Sequence, residues 1–286
     1  MELIIGTFAN VLILSSMYIL VALGFALLFS IMGILHVAHG AVYTIGGYIC
    51  YYLAQAAGLN VWFSLILTVV IVSLFGLLLE RLCFRPFFGD FDRSLVVGIA
   101  LILILQTTIV ITRGQESLSI PPFMEGFLRY GPISVSFERI VTFVIGAALL
   151  LLLVWFINNT KPGLQMRAIA QDIQGAIMQG INVNRVSAIA TMIACGSAAV
   201  AGCLMGAYLS LDPFMGDYVL SKALILVILG GMGSMSGLFF GGLVLGALDA
   251  TLPVFFSGSV AEVIAMSVII IVLLIRPTGF LGREIG

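Results

Sequence analysis

Residues 229–242 read LGGMGSMSGLFFGG, six glycines in fourteen positions, with long apolar runs on either side. In water such a stretch would be a loop. Between apolar runs it is a hinge or a place where two backbones press together. The whole 286-residue chain is 62% hydrophobic and 9% charged, with a mean hydropathy of +1.24. Soluble domains carry about 25% charged residues, so this chain lacks the polar surface to face water on all sides. The runs 8–34, 61–79, 95–112, 140–157 and 186–209 are each near or above the roughly 18 residues that cross a bilayer as a helix. The expectation is an all-α polytopic membrane protein, one domain over 1–286, with about eight or nine hydrophobic segments in the lipid bilayer. The glycine stretch forms a broken or re-entrant helix pair within it.

The strand-length alternation of a membrane barrel is missing. Glu2 stands near the start without a basic region, so the first span reads as retained rather than cleaved. A net charge of −1 makes nucleic acid no expected partner. The four cysteines (Cys50, Cys83, Cys195 and Cys203) show no C-x-x-C pair and no metal spacing, and read as packing residues.

The sparse charges set the topology. Arg81, Arg85 and Arg93 lie in one loop, Lys161, Arg167 and Arg185 in another, and Arg276 and Arg283 follow the last span. Residues 113–138 carry Arg113 and Arg129 against Glu116, Glu125 and Glu138. The positive-inside rule puts 80–93, 158–185 and the C-terminus in the cytoplasm and the loop 113–138 outside. The N-terminus then lies outside. Residues 219–256 must supply two crossings or one re-entrant pair, hinged at the glycines.

Small residues at a spacing of four let helices approach closely. Gly233, Gly237 and Gly241 have that spacing, as do Gly242 and Gly246, and Ala194, Ala198, Gly202 and Gly206 repeat it on the preceding span. Irregular backbone at membrane depth survives only where protein or water covers it, so Gly230, Gly231, Gly233 and Gly237 are also candidates for a helix break lining a pathway.

Residues 161–186, KPGLQMRAIAQDIQGAIMQGINVNRV, read as a short amphipathic helix rather than a loop. Met166, Ile169, Ala170, Ile173, Ala176 and Ile177 form one apolar face, Pro162 and Gly163 open the helix, and Gly180 closes it. Surface-lying helices are richer in Lys and Arg, so an apolar face fitted into another protein's groove is at least as good a reading.

This segment, with Arg167, Ala168, Gln171, Asp172, Gly180 and Ile181, resembles the coupling region of the branched-chain amino acid permease family of ABC transporters. Three more stretches are similar to that family in order: AHGAVYTIGGYI (38–49), LGGMGSMSGLFFGGLVLG (229–246) and RPTGFLG (276–282). With the loop 84–94 the likeness covers nearly the whole chain. It implies a bacterial inner-membrane importer for branched-chain or related small amino acids. Such an importer has two permease subunits, the second a related chain, two cytoplasmic ATPase subunits and an extracytoplasmic solute-binding protein. Arg167, Ile169, Ala170, Gln171, Asp172, Ile173 and Gly180 would couple to the ATPase, and His39, Gly40 and Tyr43 would belong to the pathway or a helix break. The chain departs from the family's pattern after Asp172, where Ile173, Gln174 and Gly175 stand in place of Pro, Glu and Ala.

A P-loop needs Gly-Lys-[Ser/Thr], and the only lysines, Lys161 and Lys222, have no such context, so any ATP hydrolysis belongs to another chain. Polar residues within spans tend to mark pathways; here they are Asn10, His36, His39, Gln106, Asp249 and Glu262. Glu262 reads as the acid at a helix N-terminus. Asp249 reads either as interfacial or as part of a pathway. Tyr43 and Tyr48 could line a path, though packing suits each. His36 and His39 lack a visible third ligand, no catalytic constellation is present, and neither cofactor nor metal is expected. Two other readings stay open: an importer of urea, amides or another small solute, and an ion-coupled carrier using Asp249 or Glu262.

Overall fold

A computed structural model describes residues 2–33, 36–130, 133–231, 234–276 and 279. Gly233 of the hinge, Arg283, and the 276–282 motif apart from Arg276 and Gly279 lie outside the described residues.

Eleven α-helices follow one another: α1 (Glu2–Met32), α2 (His39–Tyr51), α3 (Val61–Leu79), α4 (Phe91–Arg113), α5 (Phe137–Asn159), α6 (Lys161–Gln171), α7 (Ile173–Met178), α8 (Val183–Tyr208), α9 (Met215–Gly230), α10 (Met235–Phe255) and α11 (Gly258–Ile275). A π-helical turn extends α2 through Tyr52–Ala56, and another extends α3 through Glu80–Phe84. Among the described residues seven helices are long and apolar enough to cross a membrane: α1, α3, α4, α5, α8, α10 and α11. The 16 residues of α9 reach only about 24 Å at 1.5 Å per residue, short of a hydrocarbon core of roughly 30 Å. With the short apolar helices α2 and α9 the hydrophobic segments among the described residues number nine, within the expected eight or nine.

Capping side chains fix where these helices begin. The Oδ1 atoms of Asn60, Asp90 and Asn182 accept from the backbone N–H groups of Trp62, Arg93 and Arg185 at 2.9, 3.1 and 3.1 Å, opening α3, α4 and α8. The hydroxyls of Thr160 and Ser234 do the same for α6 and α10. Each satisfies an N–H that lipid could not.

The interior is α1 and α8 with the short helices α2 and α9; the rim is α3, α4, α5 and α11. In α1 83% of the most apolar window is buried within the chain, against 17% in α4 and α11. Lipid tails give helices no hydrophobic reason to associate, so close backbone contact must hold the interior together. At the α2–α9 crossing Gly40 and Gly216 face each other backbone to backbone, and at the α2–α8 crossing Gly202 faces the carbonyl of Tyr43. Gly242 and Gly246 of α10 seat Ile19 and Ser15 of α1. In the glycine hinge, Gly230 ends α9 against Gly237 of α10, and Gly231 takes φ +90°, a conformation glycine adopts without strain. The glycine-rich stretch is therefore the turn of a helical hairpin, where glycines end α9 and let α10 press against α9 and α1.

The loop 113–138 forms an antiparallel hairpin, β1 (Phe127–Tyr130) with β2 (Ile133–Ser136), in which Phe127 pairs with Ser136. Leu118 bridges to Leu211, and the Trp62 and Phe123 rings meet at 5.2 Å. These contacts gather the start of α3, the loop and the α8–α9 connection at one end of the bundle. Arg85 meets the carbonyl of Asn184 at the other.

Two local expectations need correction. The amphipathic helix of 161–180 is two helices, because Asp172 leaves helical geometry (φ −156°, ψ 107°) and its Oδ1 accepts from Gln174 N–H at 2.9 Å to start α7. Glu262 does not sit at a helix N-terminus: α11 begins at Gly258 under Ser257, placing Glu262 beyond the first turn, where it is exposed.

Candidate functional site

The two arms of the glycine hairpin carry opposite charges, and the fold brings them together. Lys222 Nζ on α9 lies 2.9 Å from both carboxylate oxygens of Asp249 on α10. Their side chains are 1% and 8% exposed. Tyr18 of α1 and Tyr218 of α9 donate to Asp249 Oδ2 at 2.9 and 3.0 Å, and their own hydroxyls are 3.4 Å apart. The Lys222 ammonium also lies 4.9 Å from the centre of the Tyr218 ring. One carboxylate thus holds an ammonium and two phenols, contributed by three helices. Asp249 is therefore paired within the chain rather than left open to solvent. Lys222, Tyr18 and Tyr218 were not singled out from the sequence, although a lysine within an apolar run followed by an acid beyond the hinge was the available signal.

Two further polar bridges join the same interior. Gln106 of α4 donates to Asp217 of α9 at 2.6 Å, and Tyr208 of α8 donates to Asn10 of α1 at 2.9 Å. Asp217, Tyr218 and Ser221 lie on one exposed side of α9, which becomes apolar further along at Ile228.

At the opposite end Glu80, fully buried, accepts from Arg85 Nε at 3.0 Å and Nη2 at 2.7 Å, and from the Ser187 hydroxyl at 3.3 Å. This fork between the α3 extension and α8 was also missed, because charge counting treats the loop as cytoplasmic and leaves its acid unexamined. Nearby, the His36 ring stacks on Phe84 at 4.4 Å and meets His39 edge-on at 5.9 Å. The nitrogens of both rings have no partner among the described residues. His39 opens α2 and Gly40 serves the crossing with α9. Tyr43 and Tyr48 are packed inside and line no open path in this structure.

The pair α6–α7 turns the expected apolar face inward. Met166, Ile169 and Ala176 are buried in the chain's own core, with Ile169 at 3% exposure, and Ile173 is partly covered. Ile169 therefore does not present itself to a partner. The reason is that α6 must cover the ends of α1, α5 and α8, and its apolar stripe is consumed in doing so. What faces outward is Leu164, Arg167, Ala170, Gln171, Asp172, Gln174, Ile177 and, at 84% exposure, Met178. Gly180 closes α7 at φ +78°.

Seven apolar spans among the described residues, a helical hairpin enclosing a buried ion pair and a separate pair of short helices define a multi-pass membrane protein. Residues 7–274 match the family described as "Branched-chain amino acid transport system / permease component", and the chain belongs to that family. Its relatives include the high-affinity branched-chain amino acid transport system permease protein LivH of Escherichia coli, 32% identical over 94% of this chain and 92% of that protein. Another is BraD of Pseudomonas aeruginosa, with the same description, 33% identical over 96% of this chain and 94% of BraD. Among solved structures, PsaBC from Streptococcus pneumoniae in complex with Fab shares the fold, with a TM-score of 0.54 and 15% identity over 97% of this chain and 96% of that one. The chain is a transport subunit, a multi-pass protein of the bacterial inner membrane.

Proposed function

We propose that this chain forms one half of the translocation pathway of an ATP-driven importer of branched-chain or related small amino acids. The reading rests on the family match, which runs through nearly every span. The pathway half pairs with a second, related permease; two cytoplasmic ATPase subunits drive it, and an extracytoplasmic binding protein delivers the solute.

The shape of the cytoplasmic end supports this division of labour. Between α5 and α8 the chain carries two short helices whose inner face is anchored in the core and whose outer face bears the exposed apolar side chains Leu164, Ile177 and Met178. An anchored helix pair with apolar residues outward suits a groove on an ATPase. We assign coupling to that outward face, with Arg167, Ala170, Gln171 and Asp172 at its polar border; Ile169 supports it from beneath. At the other end, the hairpin β1–β2 and the Pro121–Pro122 stretch suit the receiving surface for the binding protein.

The test is a mild-detergent pull-down of the tagged chain from its native membrane with mass spectrometry of what accompanies it. Co-recovery of a Walker-motif ATPase and a second permease is expected. Recovery of the chain alone, still moving solute in liposomes, would overturn the importer reading.

A further inference from the structure

Removing two charges from water costs several kcal/mol for each ion, and apolar residues of the same volume often serve stability as well. A buried pair such as Lys222–Asp249 is therefore poorly explained as a fastening. Its composition is more specific than a fastening needs. Asp249 Oδ2 takes the hydroxyls of Tyr18 and Tyr218 as well as the Lys222 ammonium, so the cage supplies the donors that any free carboxylate requires. The cage is also reachable: Tyr218 is about half exposed, on the same side of α9 as Asp217 and Ser221.

The backbone beneath Asp249 is weakened. Pro253 sits inside α10, four residues further on, and having no N–H it leaves the carbonyl of Asp249 without its helical donor. A helix bends most readily at such a point. The acid that fills the cage is thus carried on the segment of α10 best able to move.

We propose that the cage is the headgroup site of the pathway and that an α-amino acid zwitterion enters it by exchange. The solute's carboxylate takes Asp249's place on Lys222, Tyr18 and Tyr218, and the released Asp249 carboxylate receives the solute's ammonium. The inference deepens the importer reading and rests on it. Two ion pairs replace one ion pair and one hydrated zwitterion, so no net charge is created at membrane depth at any stage. A solute bearing only an amine or only an acid would leave one charge unmatched there, which the membrane interior penalises. The site therefore selects the head of the amino acid and leaves its side chain to be judged elsewhere.

The test uses the complete transporter in proteoliposomes with its binding protein and labelled L-leucine. Lys222→Gln with Asp249→Asn removes both charges together and leaves no orphan. We expect leucine moved per ATP hydrolysed to fall about tenfold or more, the scale of a lost charge-assisted contact. An unchanged ratio would make the pair structural and overturn the proposal. Should the double variant fail to assemble, Tyr18→Phe with Tyr218→Phe keeps the ion pair and removes both hydroxyls. The KM for leucine should then rise severalfold, and an unaltered KM would overturn the proposal equally. ATP-dependent leucine uptake by the wild-type complex is the control: its absence would sink the importer reading itself, not the exchange.

Discussion

Replacing Gly216 by Ala should loosen the whole molecule although it adds a single carbon. A Cβ there would stand 2.5 Å from the carbonyl carbon of Gly40 and 2.6 Å from Thr44 Oγ1, with the Gly40 carbonyl oxygen closer still. Carbon atoms rest at about 3.5–4.0 Å, so the new atom must retreat by roughly 1 Å. The obstacle is backbone, which cannot rotate aside, so α2 and α9 must separate. A gap of that size forfeits a quarter to a half of the dispersion energy of each contact across the crossing. Overpacking of this kind costs about 1–3 kcal/mol. At roughly 2–4 °C per kcal/mol for a chain approaching this size, the midpoint of thermal unfolding should drop by about 2–12 °C. A thiol-reactive fluorophore measures it directly, because Cys50, Cys195 and Cys203 are buried and free until the bundle opens. Gly6→Ala is the control, since a Cβ there meets nothing within 4 Å. Gly40→Ala should mimic Gly216→Ala, and the pair together should cost less than the sum, because helices already parted leave room for the second methyl. If Gly216→Ala melted with Gly6→Ala, the claim that backbone contact holds the interior together would be wrong.

Two other outcomes are expected. Arg85→Ala strands the buried Glu80 carboxylate and should cost about 3 kcal/mol in the same assay, with Arg85→Lys recovering only part because one ammonium cannot reproduce the fork on both oxygens; a neutral Arg85→Ala would remove the fork from the account. Ile177→Asp and Met178→Asp should reduce ATPase co-purification about tenfold or more without moving the melting midpoint, as loss of apolar anchors in a groove does. Met166→Asp should lower the midpoint itself, and equal effects of all three on stability would refute the assignment of the outward face.

The spans were legible because their signal is collective: eighteen or more apolar residues in a row mean one thing, whatever each residue does. Gly230, Gly231 and Gly237 were legible as a hinge because glycine has few reasons to cluster in an apolar run. The partners of Asp249 were not, since Tyr18 lies 231 residues away in the chain and no local pattern relates them. Lys222 looked like a residue without a motif, and the contact with Asp249 that gives it meaning exists only once α9 folds back through the hinge. The face of α6 was misjudged for a related reason. Periodicity finds an apolar stripe but cannot tell whether it covers a neighbour in the same chain or waits for another protein. The break at Asp172 follows from a capping acid in mid-segment, a signal the sequence did contain.

The source of energy for uptake decides between an ATP-driven importer and an ion-coupled carrier. The chain is reconstituted with its second permease and ATPase in proteoliposomes, and labelled leucine is offered on the binding protein. The account predicts uptake that requires ATP on the side of α6 and α7 and that vanishes when any of those partners is omitted. Uptake by this chain alone, indifferent to ATP and driven by a proton or sodium gradient, would contradict it and make Asp249 an ion-coupling site instead.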